Sequence, residues 1–500
     1  MTSLNKTTSP DSAPQSETLQ HDLTLRVAKS VSLTLGADSL VVADDRSPKS
    51  GRGCCGLLSK PKTKHVVSLY NIVDAQVTSS ELTITYAVPG KTNGVTITPL
   101  TYPLTDEETV EASKWVGKLL DLAYKNSQQR KRLKVLINPC GGKSNAVSLY
   151  ETYAAPVFAA ARCEVDVQTT EYQGHAVEIM EKLDANAYDA VVCCSGDGLV
   201  NEVFQGFSKR PDARAALAKL AVSLLPGGSA NALTLNCFAD NRNVSFAALA
   251  TVKGIRTPLD LVSVSQADGT RFLSFLFQAT GIIAEADLHT DHLRWMGELR
   301  FLYGFFKSLM AHEGCPCDLA VKAVTADKQE MKDRYAKLAA QEYDPEADRI
   351  RVEAAEKDPA LPELKYGGMS GDVPDDWTVL PGETMGVFMA GNVPTIGSDK
   401  NFFPATWPND GLMDVLTIDN SVGRWRSLDL MDEIPKAKFF DRKEVNYHKA
   451  LAYRLVPRHE NGAISVDGEG LPFQAFQCEI HQGLATVLTK SGTHLESFGP

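Results

Sequence analysis

One stretch limits what this chain can fold into more than any other: Val191-Val192-Cys193-Cys194-Ser195-Gly196-Asp197-Gly198-Leu199-Val200-Asn201-Glu202-Val203. Its first half is apolar and β-branched, the pattern of a buried strand, and Leu199, Val203 and Phe204 follow at helical spacing. A strand that breaks on Gly196-Asp197-Gly198 and reopens as a helix leaves backbone N–H groups unpaired at the helix start. With the helix dipole behind them, such groups form an anion site. An acid inside an anion site is repelled by phosphate unless its task is to take a proton or hold a cation. The plain alternative for Asp197 is an aspartate near the N-cap of an ordinary turn, worth about 1 kcal/mol.

The same alternation runs on both sides of that stretch. Val135-Leu136-Ile137, Val165 to Thr169, Asp189 to Cys194 and Ala221 to Leu225 read as strands. Tyr150 to Ala161, His175 to Leu183 and Leu199 to Phe207 read as helices between them. Strand and helix at this spacing imply βαβ units and a parallel sheet covered on both faces. Ligands on such sheets gather at the carboxyl ends of the strands. The glycine-rich and polar clusters fall at those ends, at 138–144, 169–175, 195–198 and 226–231. Asn138-Pro139-Cys140-Gly141-Gly142-Lys143-Ser144 is similar to a phosphate-binding turn but lacks the Gly-x-x-x-x-Gly-Lys spacing of a nucleotide P-loop, so a tight turn explains it equally well. Pro226-Gly227-Gly228-Ser229-Ala230-Asn231 is a second small-residue loop, of the kind that lets a ligand approach the backbone. Glu202 lies about one helical turn beyond Asp197, on the side of the same expected cleft.

The flanks differ in character. A length of 500 residues implies two or three domains. Residues 1–20 read as a polar, disordered tail. Residues 21–128 read as a β-rich module ending in an amphipathic helix from Thr105 to Tyr124, the string a small pleckstrin-homology-like module would give. The α/β domain is expected over 129–257, and a mostly antiparallel β domain over 258–500. The latter has one good helix, about Leu293 to Met310, and is split by a charged surface insertion at 325–376. Val466-Asp467-Gly468-Glu469 within it reads as a hairpin turn. The formal charge of −11 argues against a nucleic-acid partner. No apolar run reaches about 18 residues, so no transmembrane span is expected. The N-terminus lacks the apolar core of a signal peptide. The ten cysteines follow no disulfide framework and read as reduced thiols of a cytosolic protein. Cys54-Cys55, flanked by Lys49, Lys60, Lys62 and Lys64, form either a candidate S-acylation site or a plain flexible loop.

The order of these clusters resembles the diacylglycerol-kinase-type lipid kinases, and more closely the sphingosine (long-chain-base) kinases. The shared text is Asn138-Pro139 with Gly141-Gly142-Lys143, Thr170-Glu171 with His175-Ala176, and Ser195-Gly196-Asp197-Gly198-Leu199 with Glu202-Val203. It runs on through Pro226, Gly228-Ser229, Asn231-Ala232-Leu233, Ala286-Asp287-Leu288, Arg294, Gly297-Glu298 and Arg300-Phe301 to Asp467-Gly468-Glu469. The resemblance covers residues 130–310 well and 385–490 more loosely. It implies a Rossmann-like (phosphofructokinase-like) α/β domain and an antiparallel β-sandwich domain, with ATP in the cleft between them. It also implies ATP- and Mg²⁺-dependent phosphorylation of the primary hydroxyl of sphingosine, sphinganine or phytosphingosine.

The resemblance assigns roles by position. Asp197 matches the catalytic base, and Ser195, Gly196 and Gly198 join it where phosphate and lipid hydroxyl meet. Asn138, Pro139 and Cys140, then Thr170, Glu171, Tyr172, Gln173 and Gly174, then Glu202, Ser229, Ala230 and Asn231, match ATP-contacting positions. Arg294 and Arg300 match residues that hold the phosphates, and Asp467, Gly468 and Glu469 match a nucleotide contact from the second domain. Asp287 matches the acid that recognises the polar head of the sphingoid base. The chemistry is compatible: guanidinium forks suit phosphate oxygens, Asp287 suits an ammonium, and Mg²⁺ neutralises the β and γ oxygens during transfer. No residue is singled out as a direct Mg²⁺ ligand. This chain departs from the family pattern at Cys140, at Tyr172-Gln173-Gly174, where relatives are more basic, and at Ala230, where glycine is commoner. A ceramide or diacylglycerol kinase of the same fold is the alternative enzyme, although a neutral headgroup gains little from a buried acid at 287. A membrane-recruited lipid-binding scaffold is the alternative outside catalysis. A lipid substrate without a transmembrane helix implies a cytoplasmic protein peripherally attached to an intracellular or plasma membrane.

Overall fold

The computed structural model describes residues 23–28, 30–44, 63–90, 94–141, 145–240, 242–290, 293, 299–311, 314–369, 371–494 and 499–500. The expected tail at 1–20, the Cys54-Cys55 loop, Gly142, Lys143 and Ser144, and Arg294 lie outside these residues. The chain divides into two compact units, with the boundary between Asn126 and Ser127.

The first unit is built from two antiparallel sheets and a helix. Strands β1 (Thr24–Val27), β2 (Val31–Leu35), β3 (Ser39–Asp44) and β4 (Thr63–Ser68) form a four-stranded meander. Strands β5 (Ile72–Val77), β6 (Glu81–Pro89) and β7 (Val95–Pro103) form a three-stranded one. Helix α1 (Asp106–Tyr124) opens on a capping box in which Thr105 and Glu108 each accept the other's backbone N–H. Its Trp115, Leu119 and Leu120 face is buried, and Trp115 Nε1 donates to the Leu23 carbonyl at 3.2 Å.

The second unit begins with the alternation expected from the sequence. In order come β8 (Arg132–Ile137), α2 (Ala146–Leu149), which passes through a π turn into α3 (Ala155–Ala160), β9 (Glu164–Thr169), α4 (His175–Lys182) and β10 (Ala190–Ser195). Then follow α5 (Asp197–Ser208), α6 (Ala213–Lys219), β11 (Ala221–Pro226), α7 (Ala232–Phe238) and α8 (Val244–Lys253). The strands lie parallel in the order β9-β8-β10-β11. Every residue of β10 and β11 is buried, as a sheet covered by helices on both faces demands.

The rest of the unit is mostly antiparallel: β12 (Ile255–Gln266), β13 (Arg271–Ser274), β14 (Phe277–Gly281), α9 (Ile282–Leu288), α10 (Leu299–Ala311), β15 (Cys317–Thr325), α11 (Lys328–Ala339), α12 (Pro345–Lys357) and β16 (Thr378–Leu380). It ends with β17 (Met385–Gly391), β18 (Met413–Asp419), α13 (Arg424–Glu433), β19 (Val445–Pro457), β20 (Ile464–Val466), β21 (Glu469–Leu471) and β22 (Phe476–Thr489). Val264, Leu319, Phe388, Val415, Tyr453 and Phe476 bring these strands together in one apolar core. The α/β and antiparallel parts are joined by the last strand. β22 runs parallel to β11 through Thr486 and Val487 and antiparallel to β12 and β19, making one mixed fifteen-stranded sheet.

Two local expectations change. The antiparallel half carries five described helices rather than one. The charged stretch at 325–376, expected as a surface insertion, carries two helices and is fastened to its surroundings. Asp327 and Asp344 cap α11 and α12 by accepting backbone N–H groups. Arg334 then donates to the carboxylate of buried Asp410, and Arg351 to the Gly483 carbonyl and Thr486 Oγ1. Its few large apolar residues conceal this because the fastening is polar.

Candidate active site

Four loops leave the same edge of the parallel sheet. Ile137 pairs with Thr169 and with Cys194, and Ser195 pairs with Pro226, so the strand ends are level. Glycine allows the loops to touch. A Cβ on Gly228 would sit 2.5 Å from Gly196 Cα, and one on Gly141 would run into Ser195 Oγ. Backbone approach this close leaves N–H groups, not side chains, facing whatever lies above the sheet.

Asp197 opens α5, but its carboxylate serves another helix. Oδ2 accepts the Ala232 N–H at 2.9 Å and Oδ1 the Leu233 N–H at 3.0 Å, both at the start of α7. Burial pushes its pKa up, the two amides pull it back, and Asp467 adds a further upward push. The N-cap of α7 is Asn231, in the left-handed region at φ +49°. Its amide is spent inside its own loop, accepting from Gly228 N at 2.8 Å and donating to Gly228 O at 3.0 Å.

Asp467 and Gly468 are the hairpin turn expected between β20 and β21, with φ of +52° and +87°. The Asp467 carboxylate is fully used by the protein. It accepts Ser274 Oγ–H, the N–H groups of Phe275, Leu276 and Phe277, and Asn201 Nδ2–H, at 2.6 to 3.0 Å. This ties the turn to both the β13–β14 connection and α5. Glu469 lies close by: its Oε1 is 3.6 Å from where a Cβ on Gly198 would be.

Asp287 sits near the end of α9, buried, with Oδ2 accepting Ser465 Oγ–H at 2.7 Å. Arg300 of α10 approaches the same acid, Nη2 lying 3.9 Å from Oδ1 and Nη1 donating to the Asp287 carbonyl at 3.3 Å. Glu202 Oε2 accepts the Ala176 N–H at 3.2 Å, near the start of α4. Asn138 Oδ1 accepts the Cys140 N–H at 3.0 Å, and Thr170 is buried against the Ile137 carbonyl.

A cavity of about 870 Å³ joins these groups. From the four loops it takes Asn138, Cys140, Thr170, Glu171, Tyr172, Gln173, Ser195, Gly196, Asp197, Gly198, Glu202, Ser229 and Ala230. From the antiparallel half it takes Asp287, Arg300, Asp467, Gly468 and Glu469. Pro139, Gly174 and Asn231 are not on its wall. Sequence reasoning missed Ser398, Asp399 and Lys400, from the β17–β18 connection, which complete the polar end opposite Ala230. It also missed the apolar end, formed by Leu276, Phe277, Ile283, Phe305, Ile396, Phe402, Met431 and Ile434. Five of these, Ile283, Phe305, Phe402, Met431 and Ile434, also bound a small apolar recess of about 40 Å³. Among the described residues the wall presents seven acids (Glu171, Asp197, Glu202, Asp287, Asp399, Asp467 and Glu469) and two bases (Arg300 and Lys400).

The arrangement can hold a group with a polar head and an apolar tail. Residues 132–264 match the family model described as the diacylglycerol kinase catalytic domain, so the α/β half has the fold of a lipid-kinase class. Residues 23–125 match a family described as a domain of unknown function (DUF7493). The chain is 32% identical over 451 residues to sphingoid long chain base kinase 5 of Saccharomyces cerevisiae, spanning 79% of this chain and 64% of that protein. Sphingoid long chain base kinase 4 of Schizosaccharomyces pombe is 32% identical over 74% of this chain and 78% of its own length. Sphingosine kinase 1 of Homo sapiens is 31% identical over 70% of this chain and 88% of its own. The chain belongs to the sphingoid long-chain-base (sphingosine) kinase family.

Proposed function

We propose that this chain transfers the terminal phosphoryl group of ATP to the primary hydroxyl of a sphingoid base, sphingosine, sphinganine or phytosphingosine, giving the 1-phosphate. The observation that carries the reading is one cavity lined by Asp197 with the glycine loops, by Asp287, and by a set of apolar side chains. A sphingoid base has a primary alcohol, an ammonium and a hydrocarbon tail in that order. Asp197 accepts the alcohol proton as the oxygen attacks phosphorus. Asp287 pairs with the ammonium, and Ile283, Phe305, Met431 and Ile434 take the start of the chain. ATP lies across the loops after β8 to β11, in the cleft between the two halves of the unit, with Arg300 on its phosphates. A ceramide or diacylglycerol kinase would leave Asp287 facing a neutral headgroup, and a scaffold without catalysis would need Asp197 only to hold the start of α7.

An acid-rich wall fits a divalent cation bound through the nucleotide. Among the described residues no three potential ligands cluster into a cage. Mg²⁺ commonly takes one or two carboxylates and completes its shell with phosphate oxygens and water. One or two of Asp197, Glu202 and Glu469 are the side chains that would hold it. Bound there, Mg²⁺ supplies neutralisation of the phosphate charge.

The two sheets and closing helix of the first unit support a pleckstrin-homology-like module that brings the kinase to a membrane. Tyr303, Phe306 and Met310 on α10, and Trp425 on α13, are about half exposed or more and support interfacial docking beside the apolar end of the cavity. No described helix is long and apolar enough to cross a membrane. S-acylation of Cys54 and Cys55 would add an anchor to a cytoplasmic, peripherally attached protein.

The test is one assay with labelled ATP and three lipids, sphingosine, ceramide and diacylglycerol, run on the full chain and on Asp197→Asn. The expected product is sphingosine phosphate alone, falling at least about 1,000-fold in the variant while its MgADP binding persists. Equal turnover of a neutral lipid, or full activity in the variant, would sink the reading.

A further inference from the structure

The loop after β9 ends in a ring pair that the transfer chemistry leaves unused. Tyr172 and His175 stack with centroids 4.7 Å apart and planes 9° apart. His175 is fixed by its own loop, Nδ1 accepting the Glu171 N–H at 3.1 Å. The Glu178 carboxylate beside the phenol pushes the Tyr172 pKa up. Tyr172 is 53% exposed and lines the cavity, whereas His175 does not. The ring therefore rests one face on the imidazole and offers the other to the cavity.

Position adds to geometry. β9 is the outer strand of the parallel set, and the close-packed glycine loops follow its neighbours β8, β10 and β11. Strands are about 4.8 Å apart, so the β9 loop lies about 5 Å from the β8 loop and about 10 Å from the β10 loop, within the length of a nucleoside. Phosphates held at the glycine loops would send the nucleoside towards the β9 edge, where the exposed ring lies.

We propose that Tyr172, backed by His175, is the stacking platform for the nucleobase of the phosphoryl donor, favouring a purine over a pyrimidine by the area of ring it covers. The proposal rests on the nucleotide-kinase reading above and deepens it. Base–aromatic stacking changes affinity by roughly 5- to 150-fold. Stacking does not tell ATP from GTP, so selectivity on this account is between ring sizes.

The experiment measures MgADP binding by calorimetry without lipid, and steady-state rates with ATP and CTP, on the full chain. Y172A should raise the MgADP Kd and the KM for ATP at least fivefold, with the effect falling on KM rather than kcat. The ATP-over-CTP preference should shrink by a similar factor. Y172F restores affinity, because it keeps the ring and loses only the hydroxyl. Y172L supplies a non-aromatic variant of similar bulk if Y172A does not fold, and should behave like it. An unchanged Kd in Y172A or Y172L, an unchanged nucleotide preference, or a Y172F as weak as Y172A would overturn the proposal. A wild-type chain inactive on sphingosine would sink the lipid-kinase reading alone, since the binding comparison needs no lipid.

Discussion

Asp467→Asn separates a ligand contact from a structural clasp. The resemblance puts Asp467 against the nucleotide, yet its two oxygens already accept five donors and the residue is 6% exposed. Asparagine preserves the shape and one oxygen. With that oxygen at the Oδ1 position, Ser274, Leu276 and Phe277 keep an acceptor, while the new NH₂ faces the Phe275 N–H and Asn201 Nδ2. The Asn201 amide can turn, but the Phe275 N–H cannot. One stranded buried donor costs about 1–3 kcal/mol, and three charge-assisted bonds become neutral, so the expected loss is about 3 kcal/mol. The unit from 127 to 500 has 374 residues. At about 2.1 cal/mol/K per residue its unfolding entropy is about 0.8 kcal/mol/K, so Tm should fall by about 4 °C. Calorimetry of the full chain reads this directly. A Tm within 1 °C of wild type together with a raised KM for ATP would refute the clasp and favour the ligand contact.

Three further outcomes follow from the geometry. Asp287→Asn removes the charge proposed to pair with the lipid ammonium, so KM for sphingosine should rise roughly 10- to 150-fold while KM for ATP holds; lipid-titration kinetics check it. Gly228→Ala places a methyl 2.5 Å from Gly196 Cα and forces the β10 and β11 loops apart; a shift of about 1 Å there should lower kcat/KM about 100-fold, measured at saturating lipid. His481 and His494 are buried, and desolvation holds each pKa down to about 4. The native state thus binds fewer protons than the unfolded chain, and stability present above about pH 6.5 is lost as pH falls towards 4. Each should contribute a loss of about 2 kcal/mol between pH 7 and 5, and His494→Gln should flatten the pH dependence of chemical denaturation in that range.

The parallel core was readable because its signals are local. The buried strand at Val191 and Val192, the glycine breaks and the helical spacing all lie within a dozen residues, and the sheet has the expected parallel form. The Asp467-Gly468 turn was readable for the same reason. Its clasp was not, because four of the five donors lie about 190 residues away, at 274 to 277. Helix α9, which carries Asp287, spans only Ile282–Leu288, too short for periodicity to register. The apolar end of the cavity draws single residues from 276, 283, 305, 396 and 431, so no window of sequence contains it. The helices at 328 to 357 were legible only through their aspartate caps, a polar signal that an apolar-periodicity reading passes over.

Asp197 shows why an acid can live at this edge of the sheet. An empty helix N-terminus would attract phosphate, but the first amides of α7 are already taken by the Asp197 carboxylate. The acid is therefore the anion that α7 was missing, rather than an intruder in a phosphate site. The same contact sets its chemistry. Burial alone would favour the neutral acid, which cannot accept a proton, and the helix amides alone would make a very weak base. Together they leave a carboxylate whose pKa lies above its ordinary value while two hydrogen bonds hold its orientation. On the proposed reading, a divalent cation and Arg300 would offset the acids that share its cavity when a nucleotide binds.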